Sequence, residues 1–312
     1  MILCIGEILA DMIGKHEQGT TVYERFAGGA PFNVAVGIAN LGAEVGFIGA
    51  VGTDLIGKFL ADFAAKKGLT YKDITIDPIH NTTLAFVEND SDGERSFCFY
   101  RKNTADYHIP LKSLEKIKDS NIIALGSLML SEGEGIHVAD KVLELTKKYN
   151  KILSFDVNYR DDIYASKEDA INISLKYVKE AKIVKFSEEE IELLSSESNI
   201  DLGVKKITNP NQLVLVTLGK NGSRYYFHNE KVDVPTISIR PIDTTGAGDA
   251  FYAGVLAGLD GKDIDSISKE ELVNILKRAN ICGAMACQKK GAMSSLPTKF
   301  ELEVFTRQIN MQ

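Results

Sequence analysis

Short apolar runs rich in β-branched residues recur along the chain: ILCIG (2–6), VGFIGAVG (45–52), NIIALGSLML (121–130), KILSFDVN (151–158), AKIVKF (181–186) and QLVLVTLG (212–219). Runs of this length, bounded by turn formers and without polar alternation, read as strands buried on both faces. Most precede segments in which apolar residues recur at helical spacing. Helices are predicted over 31–42, with Pro31 suited to a first turn, near 54–67, and over 134–149, 168–180, 247–259 and 268–288. This alternation predicts a mainly parallel sheet with helices on both faces. Two stretches break it: MIGKHEQGTTVYERF (12–26) and TLAFVENDSDGERSFCFYR (83–101), in which alternating strands flank the polar turn NDSDGE. They are expected to form a small antiparallel sheet standing off the main one. With no repeat or long linker in sight, these segments, near 10–26 and 81–106, read as an inserted lid, not an independent domain.

Composition narrows the partners. With 312 residues and 44% hydrophobic content the chain can bury a large core, and a net charge of -7 argues against a broad footprint for nucleic acid or an anionic membrane. Small molecules or other proteins are the expected partners. Glu7 and Asp11 interrupt the apolar opening MILCIGEILADMIG, no basic segment precedes it, and no stretch approaches the ~20 apolar residues of a membrane span, so a soluble cytoplasmic protein is expected. Cys4, Cys98, Cys282 and Cys287 form no CxxC pair and have no histidine at ligand spacing, which suits reduced thiols.

The candidate chemistry lies in loops. In PIDTTGAGDAFYAGV (241–255), Asp243 and Thr244 can start a turn, and Thr245 to Gly248 bring a bare backbone to a helix start. Amides there face outward and, with the helix dipole, attract an anion. Gly246 and Gly248 remove side chains that would block its approach, and Asp249 follows in the first turn. Taken alone, the loop serves equally as a tight capped turn. No G-x-x-x-x-G-K-[ST] run occurs, and the turn Gly219–Gly222 leads into a hairpin-like segment, not a helix, so neither a P-loop NTPase nor a dinucleotide-dependent dehydrogenase is indicated. Gly28 and Gly29 precede a helix with Asn33 in its first turn, whose amide offers a hydroxyl both donor and acceptor, although such a loop is more often only a cap. Asp11 alone reads as a solvated loop carboxylate. Asp156, Asn158 and Arg160 follow a buried strand, at the sheet edge where open α/β folds bind ligands, and Arg160 could meet a transferring phosphate. Ser187 and Glu190 have capping-box spacing.

In order, GGAPFNVAVGIANLG, GAVGTDLIGKFL, the paired lid segments, DVNYR, SEEE, VTLGKNGS, DTTGAGDAFYAG and KKGAMSSLP resemble the ribokinase-like (PfkB) carbohydrate kinase family over essentially the whole chain. GEILADM, GGAPFNVAV and FCFYRKNTAD are similar to the substrate-side segments of fructokinases. The resemblance implies one ribokinase-like domain over 1–312, a three-layer α/β/α fold with a small β lid, that transfers the γ-phosphoryl group of ATP to a sugar hydroxyl, with fructose giving fructose 6-phosphate. It implies Asp249 as base, the amides of Gly246, Ala247 and Gly248 as anion hole, and Arg160 on the transferring group. The sugar would meet Asp11, Gly28, Gly29, Asn33, Arg101, Asp106, Asn158 and Asp249. Thr217, Gly219, Gly222, Asn280, Gly246 and Gly248 would meet ATP. Glu190 would organise Mg²⁺ through water, whereas Ser187 stands where the family frequently has Asn. Asp243, Thr245 and Ser295, with carbonyls near Gly291, would form a potassium-type site. Asp249 is expected to be a weak base, since a helix N-terminus favours its charged form. Exposed apolar lid faces suit a homodimer. Two alternatives remain: a 2-keto-3-deoxygluconate kinase, with Arg101 and Arg160 meeting the substrate carboxylate, and an inactive sugar or nucleoside sensor, which would be expected to have lost Asp249 or the glycines.

Overall fold

The computed structural model describes residues 1–17, 19–89 and 95–310. In chain order the elements are β1 (Ile2–Ile5), β2 (Leu9–Glu17), β3 (Thr20–Gly28), α1 (Ala30–Asn40), β4 (Val45–Gly52), α2 (Leu55–Ala65), β5 (Tyr71–Asp77), β6 (Leu84–Asn89), β7 (Arg95–Tyr100), β8 (Ile122–Gly126), α3 (Gly133–Lys148), β9 (Ile152–Asp156), α4 (Lys167–Glu180), β10 (Ile183–Ser187), α5 (Glu188–Ser195), α6 (Ile200–Ile207), β11 (Leu213–Thr217), β12 (Ser223–Phe227), β13 (Glu230–Val234), α7 (Ala247–Leu259), α8 (Lys269–Ala286), α9 (Ala292–Ser295) and α10 (Lys299–Asn310).

Strand alternation divides the buried residues between two cores. Ile2, Cys4, Ile122, Ala124, Leu213 and Leu215 face α1, α7 and α8, whereas Leu3, Ile5, Ile123, Leu125, Val214 and Val216 face α3 to α6. The sheet between them has the order β13-β12-β11-β10-β9-β8-β1-β4-β5 and is parallel except at β12 and β13. Both faces are therefore covered, as the uninterrupted apolar runs require. β1 pairs with β4 on one side and β8 on the other, so the strand order reverses there and a crevice opens at the carboxyl end of β1.

The predicted helices are present within two residues at each end. The run at 121–130 is a strand only to Gly126, because its neighbours cease to pair there; 127–131 turns into a 3-10 helix. Strand β5 and helices α6, α9 and α10 have no counterpart in the sequence reading, and α5 was anticipated only by its cap. α6 and α9, at eight and four residues, are too short for their periodicity to stand out.

The second sheet has the order β3-β2-β6-β7. Both hairpins are antiparallel as expected, and a parallel β2–β6 pair joins them. Residues 90–94 of the polar turn lie outside the described residues. β2 begins just after β1, and β3 ends at Gly28, two residues before α1. The small sheet is thus continuous with both sides of the crevice.

Candidate active site

The crevice collects the predicted residues of the amino-terminal half. Asp11 on β2 lies against Gly28, where a Cβ would come within 2.2 Å of its Oδ2, so the glycine makes room for the carboxylate. Gly29 at φ 105° turns the chain into α1 and lies equally close to the Glu7 carbonyl. One turn into α1, the buried Asn33 donates from Nδ2 to Asp249 Oδ2 at 2.8 Å, across 216 positions of sequence. Asn33 Oδ1 is buried without a partner.

The loop before α7 closes the other side. Asp243 accepts the Thr245 amide at 2.7 Å and the Gly291 amide at 2.8 Å, which fixes the turn. Ala247 N bonds Thr244 O, whereas helix geometry leaves the Gly248 and Asp249 amides without intrahelical acceptors. The two glycines are packed differently. Gly246, at φ 78°, is packed against Ala292, which a Cβ would meet at 2.7 Å, so it is needed for the turn itself. A Cβ on Gly248 would make ordinary van der Waals contact with the Lys185 side chain at 3.7 Å, so this glycine is not required by packing.

Lys185 was not anticipated. It sits in the apolar run AKIVKF, register places it opposite Asp156 on β9, and Nζ lies 2.6 Å from Asp156 Oδ1, both side chains buried. Burial alone would drive the ammonium to lose its proton, but Asp156, Glu190 and Asp249 outweigh that and hold it charged. Asp156 and Glu190 are themselves pushed up by burial against the pull of Lys185. Asp249 opens in part to the crevice, yet its carboxyl lies deep enough that burial raises it to about 6; the Asn33 bond, Lys185 and Arg160 oppose this, and Asp156 adds to it. Here the structure corrects the expected weak base, because desolvation outweighs the helix dipole. The result is a buried island of alternating charge, with Arg160 anchored by its own bond to Tyr159 O. Asn158 lies beside it, its amide bonded to Ser127 Oγ.

Glu190 and Ser187 form the capping box at the start of α5, and Glu190 accepts the amides of Ser187 at 2.7 Å and Tyr159 at 3.2 Å. Thr217 ends β11 directly opposite Ser187. Gly219 and Gly222 both have positive φ, and a Cβ on Gly222 would reach the Val234 carbonyl at 2.3 Å. That carbonyl accepts from Asn280 Nδ2 at 2.8 Å, so Gly222 and Asn280 border the same segment. Ser295, in the short helix beside Gly291, bonds Ala292 O.

Arg101 and Asp106 are placed otherwise than expected. They are buried against each other at 2.6 Å, Arg101 also donating to Leu128 O and Asp106 accepting from Thr83 and Thr104 hydroxyls. This clasp ties the ends of the small sheet to the body instead of presenting a free guanidinium to a ligand. Glu7, fully buried after β1, was likewise missed. The signal available for Glu7 and Lys185 was a charge inside an apolar run, which must find compensation.

The pfkB family carbohydrate kinase model matches residues 1–299. Fructokinase-1 of Oryza sativa subsp. japonica is 35% identical over 311 residues, covering 97% of this chain and 96% of its own length. A Xylella fastidiosa fructokinase structure with bound ATP superposes with a TM-score of 0.89 at 30% identity, over 99% of this chain and 98% of that one. A Vibrio cholerae O395 fructokinase structure holding fructose, ADP and calcium gives 0.87 at 32%, over 97% and 98%. The family match over nearly the whole chain, with relatives alike in sequence and in overall fold, shows that the chain belongs to the pfkB family of carbohydrate kinases.

Proposed function

We propose that this enzyme is a fructokinase, transferring the γ-phosphoryl group of ATP to a hydroxyl of fructose to give fructose 6-phosphate. The observation that carries this choice over an acidic sugar is the Arg101–Asp106 clasp. A guanidinium whose Nε, Nη1 and Nη2 already donate to Asp106 and to the Leu128 carbonyl keeps little donor capacity for a substrate carboxylate, whereas Asp11 and Asn33 suit neutral hydroxyls.

In this reading the sugar lies over Gly28 and Gly29, within reach of Asp11, Asn33 and Asn158, and ATP lies along Thr217, Gly219, Gly222 and Asn280. The hydroxyl oxygen bonds to the γ-phosphorus, the bond from that phosphorus to the β,γ-bridging oxygen breaks, ADP leaves, and the hydroxyl proton passes to Asp249. The open amides at Gly248 and Asp249, with Arg160 and Lys185, stabilise the charge on the moving group, and positioning supplies most of the acceleration. Among the described residues no group of three or more His, Cys, Asp or Glu could hold a metal, and both Glu190 oxygens already accept amides. Magnesium, which neutralises phosphate charge, would therefore be carried by the nucleotide, with Glu190 reaching it through water. The bonded turn of Asp243, Thr245 and Gly291, beside Ser295, suits a potassium-type ion that steadies the anion hole.

We read the small sheet as a lid inserted in a single kinase domain. Its outer face carries Tyr23, Phe86 and Tyr100 in edge-to-face contact at 5.0 and 5.3 Å, with Tyr100 62% exposed. A second copy of the chain covering this face gives a homodimer; a monomer by sedimentation at micromolar concentration overturns that. Among the described residues no helix is long and apolar enough to cross a membrane, and we assign the enzyme to the cytoplasm; its recovery in a membrane fraction of the host cell would contradict this. An ADP-release assay against fructose, glucose, mannose, ribose and 2-keto-3-deoxygluconate tests the substrate. Fructose should have the highest kcat/KM; preference for the keto acid overturns the assignment.

A further inference from the structure

Glu7 sits where the strand order reverses. Its Oε1 accepts the Ala30 amide, the first of α1, at 3.2 Å, and its Oε2 is buried with no hydrogen-bond partner. Gly29 packs so tightly beneath it that a Cβ would come within 2.5 Å of the Glu7 carbonyl oxygen. The turn that presents Gly28 and Gly29 is therefore both packed and bonded onto Glu7, and Asn33, one turn further, holds Asp249. Charged and titratable groups face Glu7 from three directions: Arg101 and Asp106 after β7, Asp249 on α7, and the Tyr164 phenol after β9. Arg101 is paired to Asp106, and among the described residues Glu7 forms no ion pair. A buried carboxyl with half its accepting capacity unused calls for a reason beyond stability.

We propose that Glu7 is a positioning residue for phosphoryl transfer. In its charged form it fixes the turn at 28–30 and, through Asn33, the orientation of Asp249, so that protonating Glu7 disables the sugar side of the site and spares the nucleotide side. A carboxylate accepts the Ala30 amide more strongly than a carboxylic acid does, and its charge suits a helix start. Burial, against the pull of Arg101, pushes Glu7 up to about 7, burial likewise raises Asp249 to about 6, and the two carboxyls repel, so they titrate as an interacting pair. Both groups must be ionised, so the sugar side fails as pH falls through this pair.

The test is the pH profile of kcat/KM for fructose in Glu7→Gln. The native acid limb should be steeper than one ionisation allows, and that of the variant should show a single ionisation at lower pH. Above the limb, kcat/KM for fructose should fall about tenfold while KM for ATP stays within about twofold. A folded variant with the native acid limb, or with equal losses for fructose and ATP, overturns the proposal. The assay rests on the fructose reading, and a second measurement does not. In native protein labelled with ¹⁵N-alanine, the Ala30 amide resonance should titrate with a midpoint near 7. An Ala30 resonance that stays fixed from about pH 5.5 to about 8.5 overturns the proposal whatever the substrate proves to be, and even if Glu7→Gln does not fold.

Discussion

Helices α2 and α7 both begin beside an aspartate, and the two carboxylates have opposite fates. At α2, Asp54 is the cap: Oδ1 accepts the Ile56 and Gly57 amides at 2.9 and 2.8 Å, and Oδ2 accepts Thr82 N at 2.7 Å. Burial works against its charge, but the amides prevail and hold it below the usual carboxylate range. At α7, Asp249 lies inside the first turn and, among the described residues, accepts from Asn33 and from none of the helix amides. Burial then raises it to about 6. The difference lies in who uses the helix amides. A carboxylate that takes them is a structural cap; one that leaves them open leaves the helix start able to meet an anion, as the proposed reaction requires.

The largest expected effect separates these roles. Asp249→Asn should keep ATP and fructose binding near native and lower kcat by about 10²-fold or more, the scale of a lost positioned base. Its melting temperature should hold or rise, since the change removes a buried charge with one hydrogen bond. Calorimetry and steady-state kinetics check both halves. Near-native kcat in the folded variant would return α7 to the class of α2.

A smaller effect follows from the raised Asp249. If Asp249 is the base it works only when ionised, so kcat/KM, which reports the ionisations of the free enzyme, should fall with falling pH over an acid limb to which Asp249, at about 6, contributes. Stability should move the other way: Asp249 binds its proton more readily folded than unfolded, so in the window from the ordinary aspartate range up to about 6 it favours the folded state as pH falls. Asp54 has the opposite sign, adding stability above the ordinary range that is lost as pH falls through its depressed value. In Asp249→Asn, an unchanged slope of melting temperature against pH above the ordinary aspartate range would contradict the raised carboxyl.

Much of this contrast was legible before the fold was known. Sequence placed Asp249 in a glycine-rich first turn, and Gly28, Gly29 and Asn33 at another helix start, because local spacing dictates both. It could not settle whether the amides were taken or open, nor what lay opposite. Lys185 meets Asp156 through strand register, and Asn33 meets Asp249 between two helices packed on one face of the sheet, 216 positions apart in sequence; neither contact has a local signature. Nor could sequence show that Arg101 and Asp106, which the family resemblance assigns to the sugar, are bonded to each other. Burial also reversed the argument from helix dipole to acidity, since depth depends on packing that no local spacing reveals.

The smallest expected effect tests the structural member of the pair. Asp54→Ala removes an acceptor used by two amides of α2 and by Thr82, which follows β5 and precedes the small sheet. Loss of an N-cap should destabilise the fold by about 1–2 kcal/mol in urea unfolding. Turnover should remain within about twofold of native, because no group of the crevice rests on this carboxylate. Asp54→Asn should recover part of the loss, since its one oxygen can still cap the helix while its amide nitrogen cannot accept from Thr82. A drop in kcat much beyond twofold in folded Asp54→Ala would mean that α2 transmits strain to the site through Thr82 and β6. The contrast between a structural and a catalytic helix start would then be one of degree.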